Sequence, residues 1–83
     1  MKKTDYLRKI LNATVYDVAR VTPLDEAAEL SRRFGARFLL KREDLQPIHA
    51  YKIRGAYNKM SQLPRAALDK GVICASAGNH AQG

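Results

Sequence analysis

One lysine of this 83-residue chain lies where its amine could do covalent chemistry. Lys52 comes at the predicted start of a helix, after a loop that contains Pro47. It precedes Ala56 by one helical turn, at the edge of an apolar stripe, where partial desolvation and the charge of nearby Arg54 would both favour a neutral amine. A neutral lysine amine is the form that attacks an aldehyde. Spacing alone also allows a surface lysine whose ammonium group reaches water from the helix edge.

A second candidate site lies at the C-terminal end of the printed sequence. Residues 76–83 read Ser-Ala-Gly-Asn-His-Ala-Gln-Gly and follow an apolar run, so they predict a strand, a small polar turn and a helix start. Backbone N–H groups at a helix N-terminus favour an anion such as a carboxylate. Gly78 would let a flat ligand ring approach the backbone, and Asn79 could donate a hydrogen bond to a phenolate-type oxygen. The alternative is that Asn79 or Ser76 only caps the helix.

Other kinds of site find little support in the sequence. His49 and His80 are too few and too poorly spaced for a metal site, and we expect both to serve packing or hydrogen bonding. Ser76 has no evident base partner for a hydrolase triad, and no phosphate-binding or dinucleotide-binding fingerprint is present. Cys74 is the single cysteine. Since it lies in an apolar run, we expect a buried, inert thiol in a reducing compartment.

Composition is ordinary for a globular chain, with 46% hydrophobic and 28% charged residues, but the net charge is +7. The basic residues are scattered singly or in pairs, whereas nucleic-acid-binding proteins usually concentrate them on one face. We therefore expect a solvated surface, balanced by acidic residues elsewhere in a longer protein, and no nucleic-acid partner. The sequence has no run of about 18 apolar residues and no secretory signal, which predicts a cytoplasmic protein with no membrane span.

The elements that must position these residues follow from capping signals and apolar periodicity. We predict helices from a Thr4 cap to residue 12, from a Thr22 cap to Gly35, over residues 51–62 and over residues 64–70, and strands over residues 37–41 and 72–75. Residues 15–19 fit either a strand or a helix. Gly55 inside a helix costs about 1 kcal/mol relative to alanine, which suggests close packing or ligand approach there. Such alternation of helices and strands favours an α/β fold with parallel strands.

Together the two motifs resemble those of the fold-type II pyridoxal-phosphate-dependent enzymes, and specifically the threonine deaminase (threonine dehydratase) family. The similarity is carried by residues 6–7, 15–19, 21–24, 41–47, 49–56 and 76–83. It implies an α/β fold of the tryptophan synthase β type, with helices around an incomplete parallel sheet. Residues 1–83 would then form a single incomplete segment of the catalytic domain, with the downstream catalytic and regulatory parts outside the chain.

The resemblance also implies roles for the site residues. Lys52 would bind the aldehyde of pyridoxal 5'-phosphate covalently and later remove the substrate α-proton, and Asn79 would hydrogen-bond the ring hydroxyl oxygen of the cofactor. The residues implied to line the substrate carboxylate pocket are Ser76, Ala77, Gly78 and His80. The implied reaction is that of a lyase, the dehydration and deamination of L-threonine to 2-oxobutanoate and ammonia in isoleucine, and hence branched-chain amino acid, biosynthesis. Full-length members of the family are homo-oligomers.

Two positions depart from related patterns. Ala50 stands where the family commonly has a serine, which removes one hydroxyl near the cofactor. Ala77 stands where related serine racemases have a serine that acts as a second acid/base, and this favours elimination over racemisation. The glycine-rich loop that binds the cofactor phosphate lies further along in the family. We therefore expect the 83 residues alone neither to hold the cofactor tightly nor to turn over.

Three alternatives remain open on the sequence. A catabolic serine/threonine dehydratase, a racemase or another enzyme of the same cofactor class would carry similar motifs. A small basic module that binds RNA or an acidic protein would show salt-dependent retention on nucleic acid. A non-catalytic remnant would behave as an aggregation-prone chain with an unpaired sheet edge.

Overall fold

The computed structural model describes residues 2–83. Its elements in chain order are α1 (Lys3–Asn12), β1 (Leu24–Glu26), α2 (Ala28–Phe34), β2 (Leu39–Lys41), α3 (Lys52–Ser61), α4 (Arg65–Asp69) and α5 (Asn79–Gln82), with 3-10 turns at Val15–Asp17 and Glu43–Leu45. None of these helices combines the length and the apolar character that crossing a bilayer would require. The segment over residues 15–19, which the sequence left open between strand and helix, forms the first 3-10 turn.

The first helix, α1, begins before the predicted Thr4 cap. Its starting signal is Asp5, whose carboxylate accepts a hydrogen bond from the backbone N–H of Lys2 at 3.2 Å. The helix places its apolar side chains on one side, but all four of them are exposed: Tyr6, Leu7, Ile10 and Leu11. The apolar stripe of α1 is therefore not covered by any part of the chain that the structure describes.

The helix predicted to follow Thr22 is shorter than expected. Residues 24–26 instead form β1, which pairs antiparallel with β2 so that Leu24 lies opposite Lys41. The helix α2 starts only at Ala28, and it ends as predicted at Gly35, whose left-handed backbone has φ 61°. The prediction that Thr22 caps a helix is wrong, because its hydroxyl donates to the distant Glu43 carboxylate at 2.6 Å. Long-range pairing here outweighs a local capping pattern.

The strand predicted over residues 72–75 is not formed. These residues have no regular structure, and Ile73 is 98% exposed. The parallel pairing expected of the strands is replaced, within residues 2–83, by the antiparallel pair β1–β2. Cys74 is exposed, so the prediction of a buried thiol is wrong. A strand of the buried type needs neighbours at both edges and cover on both faces, and the described residues provide neither for this segment.

The core is small and centres on α3. Its buried apolar residues are Ala19, Ile53 and Ala56, and two polar residues, Thr22 and Gln46, are buried beside them. The helix α3 packs against the 3-10 turn at Val15–Asp17 and against α5. The most buried part of the molecule therefore lies immediately around the helix that begins with Lys52.

Candidate active site

Lys52 is the first residue of α3, where the sequence predicts a helix start. Its side chain is half-buried, and its Nζ lies 5.2 Å from the centroid of the Tyr51 ring. The chain reaches this helix through His49, which adopts a left-handed backbone conformation (φ 61°) that is uncommon for residues other than glycine. The N–H of His49 donates to the carbonyl of Gln46 at 2.8 Å, which closes the turn before α3. As expected, the histidine side chain has a hydrogen-bonding role, since its Nδ1 lies 3.1 Å from the carbonyl oxygen of Asp44.

The turn before α5 is held by Ser76. Its Oγ accepts hydrogen bonds from the backbone N–H groups of Gly78 at 3.0 Å and Ala81 at 3.2 Å. Gly78 has φ 149°, a conformation that residues with a side chain rarely adopt, and a Cβ added there would meet no atom within 4 Å. The glycine is therefore required by the backbone of the turn, and the space above it is open. The Ser76 hydroxyl thus accepts one N–H of the first turn of α5, although the residue in the N-cap position is Gly78.

Lys52 and this turn line one cleft of about 370 Å³. The residues that line it are Lys52, Ser76, Ala77, Gly78, Asn79 and His80. The packing of α5 on α3 brings them together, because Gly83 lies so close to α3 that an added Cβ would come within 2.8 Å of the Ala56 Cβ. The volume falls within the range of about 300–1,000 Å³ that is usual for small-molecule sites. All six predicted site residues therefore meet, although their individual roles stay predictions.

A larger cavity, of about 1200 Å³, lies away from these residues. It is an open groove between α1 and α3, with Arg8 and Lys9 on one wall and Asn58 and Gln62 on the other. None of the six predicted site residues lines it. The chemistry of the side chains, and not the size of the cavity, identifies the smaller cleft as the candidate active site.

A cluster of hydrogen-bonded polar side chains lies on the side of α3 that faces away from Lys52. The Glu43 carboxylate accepts hydrogen bonds from the Nε and Nη2 of Arg54, the hydroxyl of Thr22 and the amide of Gln46. The Arg54 guanidinium first, and then the Thr22 hydroxyl, lower the pKa of Glu43 to about 2, although burial opposes them. The same contact raises the pKa of Arg54 further above its ordinary value.

The capping and periodicity patterns of the sequence do not predict this cluster. They place Glu43 and Gln46 in a loop, and they suggest Arg54 only as a charge that could approach Lys52. The structure instead directs Arg54 to Glu43 and to Tyr16, whose hydroxyl lies 3.1 Å from its Nη1. The only signal in the sequence was the resemblance of residues 41–47 to a family segment, which does not reveal that Glu43 and Arg54 touch.

Comparison with known proteins identifies the family. Residues 15–83 match the family described as pyridoxal-phosphate dependent enzyme. The chain belongs to this family. The α/β fold assigned from the sequence and the family's cofactor, pyridoxal phosphate, are thereby confirmed. The individual relatives also confirm the resemblance to threonine dehydratases.

The chain is 62% identical over 79 residues to a protein of Solanum lycopersicum named threonine dehydratase 1 biosynthetic, chloroplastic, covering 95% of this chain and 13% of that relative. It is 59% identical over 83 residues to the L-threonine dehydratase biosynthetic IlvA of Burkholderia multivorans, covering 100% of this chain and 16% of the relative. The solved structure of processed threonine deaminase isoform 2 from Solanum lycopersicum is similar with a TM-score of 0.85 at 58% identity. That similarity covers 94% of this chain and 22% of the solved chain.

The chain thus spans roughly a fifth or less of the relatives that it matches. The cleft residues fit the family's cofactor, since they supply a primary amine from Lys52, a side-chain amide from Asn79 and an open face at Gly78. A flat ring that carries an aldehyde and a phenolate oxygen needs these three features. The fit concerns the ring, because the phosphate group would need several further donors.

Proposed function

We propose that this chain forms the N-terminal part of the active site of a biosynthetic threonine dehydratase. The enzyme would convert L-threonine to 2-oxobutanoate and ammonia, on the route to isoleucine. The observation that carries the proposal is the single cleft in which Lys52 faces residues 76–80. Identities of 62% and 59% to proteins named biosynthetic threonine dehydratases support the choice of substrate. The family match favours an enzyme over a small basic binding module.

Lys52 is the reactive residue of the proposal. Its Nζ would hold the cofactor through the aldehyde group and, once free of it, would take the proton from the substrate α-carbon. Bound pyridoxal phosphate supplies the electron sink that makes this proton acidic enough to remove. The position of Lys52 at the first turn of α3 leaves the amine free to reach into the cleft, while Ile53 and Ala56 of the same helix are buried.

The other cleft residues bind and orient. The Asn79 amide donates to the ring hydroxyl oxygen of the cofactor, and His80 forms part of the wall around the substrate carboxylate, together with the backbone at Ala77 and Gly78. Ser76 uses its oxygen to accept two backbone N–H groups, so it can offer the carboxylate its hydroxyl hydrogen. Because Ala77 has no hydroxyl, this position supplies no second acid/base, which favours elimination over racemisation.

We further propose that the full-length enzyme is a homo-oligomer and has no nucleic-acid partner. Five arginines form ion pairs with acidic side chains, which leaves their guanidinium groups less available to phosphates: Arg32, Arg37, Arg42, Arg54 and Arg65. The free, exposed thiol of Cys74 fits a reducing compartment, and we propose the cytoplasm. The names of two plant relatives point to the chloroplast as the alternative.

The function is tested in a chimera in which these 83 residues replace the aligned segment of the Burkholderia multivorans relative. We expect the chimera to form 2-oxobutanoate from L-threonine, and Lys52→Ala to lower kcat by at least about 10³-fold, as removal of a reacting group does. Lys59→Ala is the matched control, since Lys59 lies exposed on the same helix. Product formation is measured by direct assay of the keto acid.

Two results would contradict the proposal: a folded chimera with the oligomeric state of its parent but no activity, or a Lys52→Ala variant that keeps its activity. A higher kcat/KM for L-serine than for L-threonine would favour the catabolic serine/threonine dehydratase instead. For the 83-residue chain by itself we propose no turnover and no tight cofactor binding, because residues 76–80 are exposed.

A further inference from the structure

The start of α3 has few restraints of its own. No side chain caps its first turn, and within residues 2–83 the Lys52 side chain makes no hydrogen bond or ion pair; its one contact of this kind is with the Tyr51 ring. The direction of the Lys52 side chain therefore depends on how α3 as a whole is rotated about its axis.

The strongest polar contact of α3 lies two residues after Lys52. Arg54 donates through both Nε and Nη2 to the Glu43 carboxylate, and this paired geometry restrains rotation more than a single hydrogen bond does. Each residue advances a helix by about 100°, so residues two apart point to nearly opposite sides. Arg54 held against Glu43 consequently turns Lys52 away from Glu43, towards the cleft.

Glu43 is itself firmly anchored. The Thr22 hydroxyl and the Gln46 amide also donate to it, at 2.6 Å and 3.0 Å. Gln46 is 1% exposed, and its amide group bonds both the N–H and the carbonyl of Arg20, at 2.7 Å and 2.8 Å. The carboxylate is thus tied to the backbone of residues 20–22, directly through Thr22 and indirectly through Gln46, before it meets Arg54.

We propose that Glu43 is a positioning residue for Lys52, which sets the rotation of α3 through Arg54 and thereby aims the lysine amine into the cleft. The inference rests on the proposed function only for its catalytic consequence. The orientation of the amine is a property of the folded chain, and it can be measured without the cofactor.

The test compares Glu43→Gln with the unaltered protein in the same chimera. In the cofactor-free protein, reductive methylation followed by peptide mass spectrometry gives the reactivity of Lys52 relative to Lys59. We expect Glu43→Gln to raise this ratio, because a rotated α3 would expose the half-buried Lys52 and leave the exposed Lys59 unchanged. In the loaded enzyme we expect kcat to fall by about 10²-fold, the loss that a misplacement of about 1 Å brings, with little change in KM.

Three further variants separate positioning from general stability. Arg54→Lys keeps the charge but loses the paired geometry, so it should reproduce the effect. Thr22→Val removes one donor to Glu43 and leaves the Arg54 contact, so it should change the methylation ratio little. Glu29→Gln breaks an ion pair whose side chains are 73% and 68% exposed, and it should change nothing.

The proposal is overturned if Glu43→Gln leaves the methylation ratio unchanged in a folded protein. It is also overturned if Glu29→Gln, which lies outside the cluster, raises the ratio as much as Glu43→Gln does, which would indicate general loosening. A chimera that shows the expected ratios but never loads pyridoxal phosphate on Lys52 would support the positioning role and refute the proposed function. The two failures are therefore distinguishable.

Discussion

Glu43 carries its negative charge between a guanidinium, a hydroxyl and an amide, and its side chain is 17% exposed. Hydrogen bonds to charged groups in such surroundings contribute about 1.5–3 kcal/mol each, whereas well-exposed ion pairs contribute little. At the scale of single residues, the polar contact that matters for the candidate site is therefore the Glu43–Arg54 pair, and not the surface pairs of the arginines elsewhere.

The contribution of Glu43 to the stability of the fold should depend on pH. The folded pKa of Glu43, about 2, lies below the ordinary value of 4.5, so its contribution to stability is complete above pH 4.5 and is lost as the pH falls through about 2. Arg54, whose pKa is raised by Glu43, does not change charge in this range. We expect Glu43→Gln to lower the free energy of unfolding by about 2 kcal/mol at neutral pH, and by clearly less at about pH 3.

Urea unfolding of the 83-residue chain, followed by circular dichroism at the two pH values, measures this difference. The pKa of Asp44 is also lowered, by Arg42, but Asp44 is present in both proteins and cancels in the comparison. An equal loss of stability at both pH values would show that the charge of Glu43 has no part in the effect.

At the scale of elements, the site depends on how closely α5 approaches α3. Gly83 lies against the Ala56 side chain and the backbone of Lys52, where an added Cβ would come within 2.8 Å and 3.0 Å of the nearest atoms. Neither a methyl group nor a helix backbone can move aside cheaply. Because Gly83 has no side chain, α5 can approach α3 closely, and this approach places residues 76–80 beside Lys52.

We accordingly expect Gly83→Ala to separate α5 from α3 and to weaken cofactor binding by the chimera. Gly55→Ala is the matched control, because Gly55 lies in α3 with no atom within 4 Å of an added Cβ. It should stabilise the helix by up to about 1 kcal/mol. Cofactor affinity measured by absorbance titration, together with thermal unfolding, distinguishes the two variants. Equal cofactor affinities of Gly83→Ala and the unaltered chimera would rule out this packing argument.

At the scale of the whole molecule, the described chain is extended. Its radius of gyration is 16.8 Å, whereas a compact domain of this length would have about 12 Å. Large apolar side chains of α1 and of residues 72–75 remain exposed. The close packing that does exist is concentrated around α3, so the Lys52 side of the candidate site lies at the best-packed part of an incompletely covered fold.

This openness predicts how Cys74 reacts. In the 83-residue chain its exposed thiol should react with a thiol reagent without first unfolding, at nearly the rate found in urea. In the chimera, where sheet neighbours can cover residues 72–75, we expect the reaction to be much slower. Absorbance of the released reagent follows both reactions. Strong protection of Cys74 in the 83-residue chain would show that this segment is covered without any further strands.

Local sequence patterns are sufficient to predict the helix start at Lys52, the end of α2 at Gly35 and the small polar turn at residues 76–78. Each depends on contacts between residues close in the chain, such as a capping group or a glycine with positive φ, so local chemistry is sufficient to predict it. The family motifs added the expectation that Lys52 and Asn79 act together, and the structure places both in one cleft.

Tertiary contacts alone make residues 24–26 a strand, direct the Thr22 hydroxyl to Glu43 instead of a helix end, and leave Cys74 exposed. They also turn Arg54 away from Lys52, towards Glu43. These outcomes depend on which distant segments meet, and a local pattern does not contain that information. A hydrogen bond between residues 11 or more positions apart forms only when the whole chain has brought its two partners together.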